Sequence, residues 1–195
     1  MDNLEPVVLP PLAVLGLGRA GRDLVHLARG ASLEVSLAWA RSGPPGTVAD
    51  VQIREGEIGP IDAGLVVLAV PDGAIEVVAR HLGTLGLLEP SATLAHLSGA
   101  ASSSLLRAAG GHHECVAMHP LQTFLGDGHV RRPFPWILEG DDDAMNLAER
   151  FVAALGCTSV RLAVEGKARY HAAATLASNH LVALIHIVER QAALA

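Results

Sequence analysis

Apolar residues run without a break over residues 12–15 and stop at Gly16, the pattern of a short strand buried on both faces. The period then changes. Over residues 19–29, Leu24, Val25, Leu27 and Ala28 recur at near-helical spacing, and Gly30 stands where a helix end favours a left-handed residue. Residues 33–40 read as a second strand, Gly43, Pro44, Pro45 and Gly46 as a loop, and residues 48–53 as a short third strand. A continuous apolar run over 64–70 is stopped by Pro71 and Asp72, and a helix with one apolar face follows over 74–88. Strand 93–97, helix 102–109 and strand 115–118 repeat the theme. Beyond a loop rich in Gly and Arg, residues 136–138 form a strand. Asp141, Asp142 and Asp143 then open a helix whose Met145, Ala148, Phe151, Val152 and Leu155 share a face. The aspartates suit a helix N-terminus through its dipole. Residues 158–164 form a last strand, and from Lys167 the chain reads as one helix of up to 29 residues, roughly 40 Å long.

Strand and helix alternate over more than a hundred residues, which predicts an α/β fold with a doubly wound, mostly parallel sheet. The expected boundaries are a sheet domain over 12–164 and, over 165–195, the first helix of an all-helical second domain. That helix is apolar on every side, so something must cover it. The expected cover is a second copy of the chain, giving a homodimer through the C-terminal helix, or the remainder of a larger domain.

Composition narrows the function. Half of the 195 residues are hydrophobic, 17% are charged and 3% are aromatic, which supports a folded core of Ala, Leu and Val. A net charge of −6 argues against a general nucleic-acid binder. Cys115 and Cys157 lack any metal-ligand or redox spacing and read as reduced core thiols. The first eleven residues are acidic and proline-bearing, unlike a secretory leader. The apolar stretch over 172–188 is interrupted by Ser178, Asn179, His180 and His186, unlike a lone membrane span. A soluble, cytoplasmic protein without a membrane partner is expected.

Gly16, Leu17, Gly18, Arg19, Ala20 and Gly21 spell GxGxxG between the first strand and the first helix. The first glycine permits a tight turn, the second lets backbone amides approach a pyrophosphate, and the third allows close helix–strand contact. The fold expectation becomes a Rossmann sheet. In NAD-binding versions a carboxylate some twenty residues on bonds the ribose 2′-hydroxyl. Here Arg41 and Ser42 occupy that place, a guanidinium and a hydroxyl suited to a 2′-phosphate, so NADP is the expected cofactor. Val70 and Pro71 end one strand and Ser98 and Gly99 follow another, so both pairs are expected to border the cofactor. Ordinary turn chemistry is the alternative for these four.

Two features carry candidate catalysis on a small-molecule substrate. His119, beside Pro120 after a strand, can donate a proton to a carbonyl or imine or orient it; the alternative is a structural turn residue. Lys167, His171, Thr175 and Ser178 form a polar stripe on the long helix, with Asn179 beside it. Such a stripe has a burial cost unless it faces a cavity, a cofactor or partners. Lys167 could polarise a developing oxyanion or amide nitrogen, its pKa lowered by burial; the alternative is a solvated helix-start lysine. The ten histidines form no metal-ligand cluster, so no metal is expected.

The GxGxxG segment, Val70-Pro71-Asp72, Leu97-Ser98-Gly99-Ala100, the run Met118 to Phe124 and the string from Lys167 to Asn179 together resemble a known group. They are similar to Rossmann-like oxidoreductases with a C-terminal helical domain of unknown function, relatives of the 6-phosphogluconate and β-hydroxyacid dehydrogenases. The resemblance implies an NADP-binding domain followed by a helical domain that dimerises and completes the substrate cleft. It implies a lysine near the nicotinamide with an asparagine four residues later; Lys167 matches, but His171 holds the second place. The His-Pro pair is also similar to one in prephenate and arogenate dehydrogenases, where the histidine contacts substrate. Against such relatives about a hundred residues of the helical domain are missing here, an expectation of a shortened chain. The function implied is NADP-dependent reduction of a C=O or C=N group in a small polar metabolite. The alternative is an NADP-binding regulator or sensor without turnover.

Overall fold

Two-residue alternation within each buried strand decides which side chains face which layer. The computed structural model describes residues 9–42 and 46–194; the acidic start and most of the proline loop read from the sequence lie outside these. In chain order the elements are β1 (Leu12–Leu15), α1 (Arg19–Gly30), β2 (Val35–Ala40), β3 (Thr47–Val48), β4 (Val51–Glu55), β5 (Leu65–Leu68), α2 (Ile75–Thr84), β6 (Thr93–His96), a 3-10 helix Ser103–Ala109, β7 (Cys115–Pro120), β8 (Pro135–Gly140), α3 (Asp142–Ala154) and β9 (Thr158–Arg161). The C-terminal helix follows as α4 (Lys167–Thr175) and α5 (Leu181–Ala192), joined by a π-helical turn Leu176–His180.

The strands form one sheet in the order β3-β4-β2-β1-β5-β6-β7-β8-β9. From β4 to β7 every neighbouring pair is parallel. The chain winds one way from β1 to β2 and the other way from β5 onward, so the crevice between the ends of β1 and β5 is the topological switch point where open α/β sheets bind ligands. Leu12 and Val14 point into a layer shared with α1 and α3, Ala13 and Leu15 into a layer shared with α2 and the 3-10 helix. The mostly parallel, doubly wound sheet with helices on both faces is the architecture the pattern predicts.

Local expectations are revised where tertiary contacts outweigh pattern. The single strand read over 48–53 is a hairpin turned by Ala49 and Asp50, both at positive φ. Gly30 stays helical, and Ser32 at φ 59° takes the left-handed place while Leu33 N–H bonds back to Ala28 O. β8 runs antiparallel to β7, so the right-hand end of the sheet is not part of the parallel winding. His119 and Pro120 do not follow β7 but end it, paired with Ile137 and Trp136 of β8. Asp141 stands at the start of α3 without capping it. Its carboxylate instead accepts the Cys115 N–H at 2.8 Å and pairs with Arg107. The last strand ends at Arg161, well short of residue 164.

The C-terminal helix rises off the sheet. Lys167 is buried, but Leu181, Val182, Leu184, Ile185, Ile187 and Val188 are all exposed. Val164–Ala192 is long enough to cross a membrane and contains an 18-residue stretch of mean hydropathy 1.3, by itself a weak signal.

Candidate functional site

Two of the three motif glycines are demanded by close packing, and the third stands open. Gly16 has φ 102°, and a Cβ there would press on the Ala69 carbonyl. A side chain on Gly21 would collide with the Gly16 carbonyl, so helix and turn could not approach. Above Gly18 nothing lies within 4 Å, leaving its surroundings open. There a cavity of about 460 Å³ is lined by Gly18, Arg19, Ala20, Val70, Pro71 and His119 among others. These residues lie beyond the carboxyl ends of β1 and β5 and at the end of β7, where the N-terminus of α1 offers its free amides. The cradle fits a dinucleotide diphosphate.

Arg41 and Ser42 are exposed at the end of β2. Arg41 lines a separate apolar cavity of about 770 Å³ with Trp39, Ile58, Val78, His81 and Leu85. The α2 residues Val78 and His81, with Leu85 just past its end, form one wall of this cavity against Trp39 of β2. Ser98 does not reach toward the cleft: its Oγ accepts the Ala100 and Ala101 N–H groups and closes its own turn. Leu97 lines the cleft instead. Gly99 lies against His119 and His171.

A second cavity of about 440 Å³ adjoins the first, sharing His119, Pro120, Gln122 and Thr123. Its other wall is the polar stripe of the C-terminal helix, with His171, Thr175, Ser178 and Asn179. The π turn inserts one residue's worth of extra rotation, which lets Ser178 and Asn179, adjacent in sequence, both line the cavity. Among the described residues, no Asp, Glu, Lys or Arg side chain lines it.

Lys167 departs from the expected place at the reacting heteroatom. It lines neither cavity, and its Nζ donates to Glu139 Oε2 at 2.9 Å, with both side chains over 90% buried. Burial pulls the lysine pKa down as expected. For Glu139 burial acts upward, but the Lys167 ammonium together with the Ser103 N–H and hydroxyl hold its carboxyl below the usual range. The pair ties the start of α4 to β8 and to the 3-10 helix.

Four groups without a role in the sequence reading complete the site. Tyr170 Oη lies 2.7 Å from His119 Nδ1, across 51 residues of chain. Burial pushes the Tyr170 hydroxyl pKa up and the His119 pKa down to about 4, so at neutral pH the hydroxyl keeps its proton and the ring is neutral. His96, fully buried and pushed by burial to about 4, accepts the Ser98 N–H on Nδ1, which leaves Nε2–H to donate to the Ser102 carbonyl. That clamp shapes the turn bearing Gly99. Asp23, buried in α1, accepts the Gly126 and Gly128 N–H groups at 2.8 Å each and pins the loop after Pro120 across the cofactor cradle. Glu139 is the fourth. A polar residue set in an apolar run is the sequence signal for Asp23, His96 and Glu139; the partners of Asp23, Glu139 and Tyr170 lie far away along the chain, whereas those of His96 lie within six residues. Among the described residues, no three His, Cys, Asp or Glu side chains form a group able to hold a metal.

Comparison with known proteins adds a partial family match and a fold. Residues 134–195 match a family described as a domain of unknown function, DUF2520. Protein TM1727 of Thermotoga maritima is 26% identical with a TM-score of 0.70, covering 94% of this chain and 69% of that one. A pyrroline carboxylate reductase of Plasmodium falciparum, solved with NADP bound, is 15% identical with a TM-score of 0.63, covering 95% and 68%. A prephenate dehydrogenase of A. aeolicus, in complex with hydroxyphenyl propionate and NAD+, is 16% identical with a TM-score of 0.63, covering 84% and 62%. No curated protein matches the chain. The fold is thus shared with nicotinamide-dinucleotide oxidoreductases.

Proposed function

We propose that this protein is an NADP-dependent oxidoreductase acting on a C=O or C=N group of a small polar metabolite. The observation that carries the reading is the juncture of the two cavities. The glycine cradle at the switch point and a polar chamber share one wall, formed by His119, Pro120, Gln122 and Thr123. Solved proteins of the same fold, one with NADP and one with NAD+ bound, support the cofactor class. Arg41, with a hydroxyl at Ser42 beside it, favours the 2′-phosphate form. When bound, the reduced dinucleotide supplies the hydride. The protein's own part is to place that reactive end at the juncture, exclude water, and present polar groups to the substrate. Gly16, Gly18, Arg19, Ala20 and Gly21 hold the diphosphate, with Val70, Pro71 and Gly99 shaping the floor.

Within this reading His119 and His171 face the substrate and Asn179 lines its far wall, while Lys167 acts from behind by fixing α4. The kinship to 6-phosphogluconate and β-hydroxyacid dehydrogenases rests on motifs alone, and no step depends on it. The exposed apolar side of α5 is covered by a second copy of the chain, making a cytoplasmic homodimer. Calorimetric titration with NADPH and NADH tests the core of the proposal. Saturable NADPH binding, tighter than NADH, is expected, with NADPH consumption on a panel of oxo acids, ketones and cyclic imines. Absence of binding to either dinucleotide refutes it.

A further inference from the structure

The first turn of α4 meets the sheet at two points. In the antiparallel pair of β7 and β8, Glu139 stands opposite Ala117 and His119 opposite Ile137, so Glu139 and His119 lie diagonally on one face of the sheet. Lys167 and Tyr170, three residues apart, share one face of α4. The two faces meet. Lys167 Nζ reaches Glu139 Oε2 at 2.9 Å, and Tyr170 Oη lies 2.7 Å from His119 Nδ1 with the two rings edge to face. Among the described residues of α4, Lys167 alone is buried. A helix of nine residues gains little stability by itself, so these polar contacts and the His171 ring against the Gly99 turn, rather than an apolar core, hold it to the sheet. The residue they converge on is His119, which lines the glycine cradle and the polar chamber alike.

We propose that this turn of α4 is a two-point clip: the Lys167–Glu139 pair docks the C-terminal helix, and Tyr170, so placed, holds the His119 imidazole in its working orientation at the wall between the two cavities. This rests on the oxidoreductase reading and deepens it, by making the site depend on docking of the C-terminal segment. Tyr170 and Lys167 are positioning residues; both act through His119. The inference holds for either direction of the hydrogen bond. A phenol hydroxyl gives its proton to a bare Nδ1 or accepts one from Nδ1–H, and in both cases one side of the ring is tied. Undocking of α4 leaves Nδ1 without that partner in a partly buried place, at a cost in free energy, and frees the ring to turn. The same event changes the charge balance around the ring. Burial lowers the His119 pKa most, His171 and Lys167 of α4 lower it further, and Asp72 beyond β5 acts upward. Two of those three neighbours leave with the helix.

Imidazole nitrogen NMR on the full chain at pH 7, with neither substrate nor dinucleotide present, reads the clip on the ring itself. Tyr170→Phe keeps the shape of the side chain and removes only the hydroxyl, and it is expected to shift the His119 nitrogens. Lys167→Met combined with Glu139→Gln removes both charges together, so little direct field on the ring is lost. This pair is expected to move the His119 nitrogens toward their positions in Tyr170→Phe and to speed amide exchange in α4. With any carbonyl or imine that the wild type reduces, Tyr170→Phe should lower kcat about tenfold or more while KM and NADPH affinity stay within about twofold. If the combined variant does not fold, Tyr170→Phe decides alone. The proposal is overturned if Tyr170→Phe leaves the His119 nitrogens unmoved, if the ring moves but kcat does not fall, or if the combined variant frees α4 and His119 stays as in the wild type. Failure of NADPH to bind would defeat the oxidoreductase reading, whereas the ring measurement would still decide the clip.

Discussion

Lys167 Nζ meets Glu139 Oε2 at 2.9 Å in a buried ion pair that joins the C-terminal helix to β8. Removing one partner leaves the other charge buried without compensation, a loss of about 3–5 kcal/mol. Lys167→Met should therefore lower the urea midpoint strongly, and adding Glu139→Gln should recover part of the loss. If the single variant unfolds at the wild-type midpoint, the pair does not anchor the helix.

Arg41 stands at the end of β2 beside an apolar cavity. Arg41→Ala should weaken NADP binding by roughly 1.5–3 kcal/mol, the worth of charge-assisted bonds to a phosphate, and leave NAD binding nearly unchanged. Calorimetry with both dinucleotides decides this; equal losses would remove Arg41 from the 2′-phosphate site.

His96 couples stability to acidity. Its pKa is about 4 in the folded chain against 6.5 as the ordinary value, with burial as the main cause. Between these values the unfolded chain binds the proton that the folded chain refuses, so stability falls as pH drops from about 6.5 to about 4. The loss is up to about 3 kcal/mol from this residue. Urea unfolding at pH 7 and pH 4.5 should show the decline, and His96→Gln should flatten it. A variant with an unchanged slope would assign the effect elsewhere.

Asp23 holds two loop amides that carry the chain from Pro120 back over α1. Asp23→Ala should speed amide hydrogen exchange at Gly126 and Gly128 at least tenfold and cost about 1–3 kcal/mol of stability, the usual loss for unsatisfied buried donors. Unchanged exchange would show that the loop is held by packing alone.

The exposed apolar side chains from Leu181 to Val188 should drive self-association. Light scattering on the purified chain should give a dimer mass, and Ile185→Glu with Val188→Glu should shift it to monomer. A monomeric wild type would leave this face to a different cover.

The alternation of strands and helices, the glycine turn and the polar stripe of the last helix were legible in the sequence because each is local. An apolar run, a three-residue glycine spacing and a four-residue helical repeat need only neighbours along the chain to be recognised. Ser98 was misplaced for the opposite reason, since its hydroxyl could turn toward the cleft or back onto Ala100 and Ala101, and only the folded turn chose. The same holds for Lys167, whose spacing put it on the stripe with His171 but whose charge found Glu139, 28 residues away, instead of the cavity.

The primary structure alone determined the winding of the sheet and the place of the glycine turn, since burial periodicity and backbone freedom at Gly16 and Gly21 are properties of short segments. Tertiary structure decided the chemistry beyond the cradle. The partner of His119 is Tyr170, 51 residues away, and what His171 faces depends on how β7, the Gly99 turn and α4 meet. Contacts between segments so far apart are set by packing and by the pairing of buried charges, which no local pattern encodes.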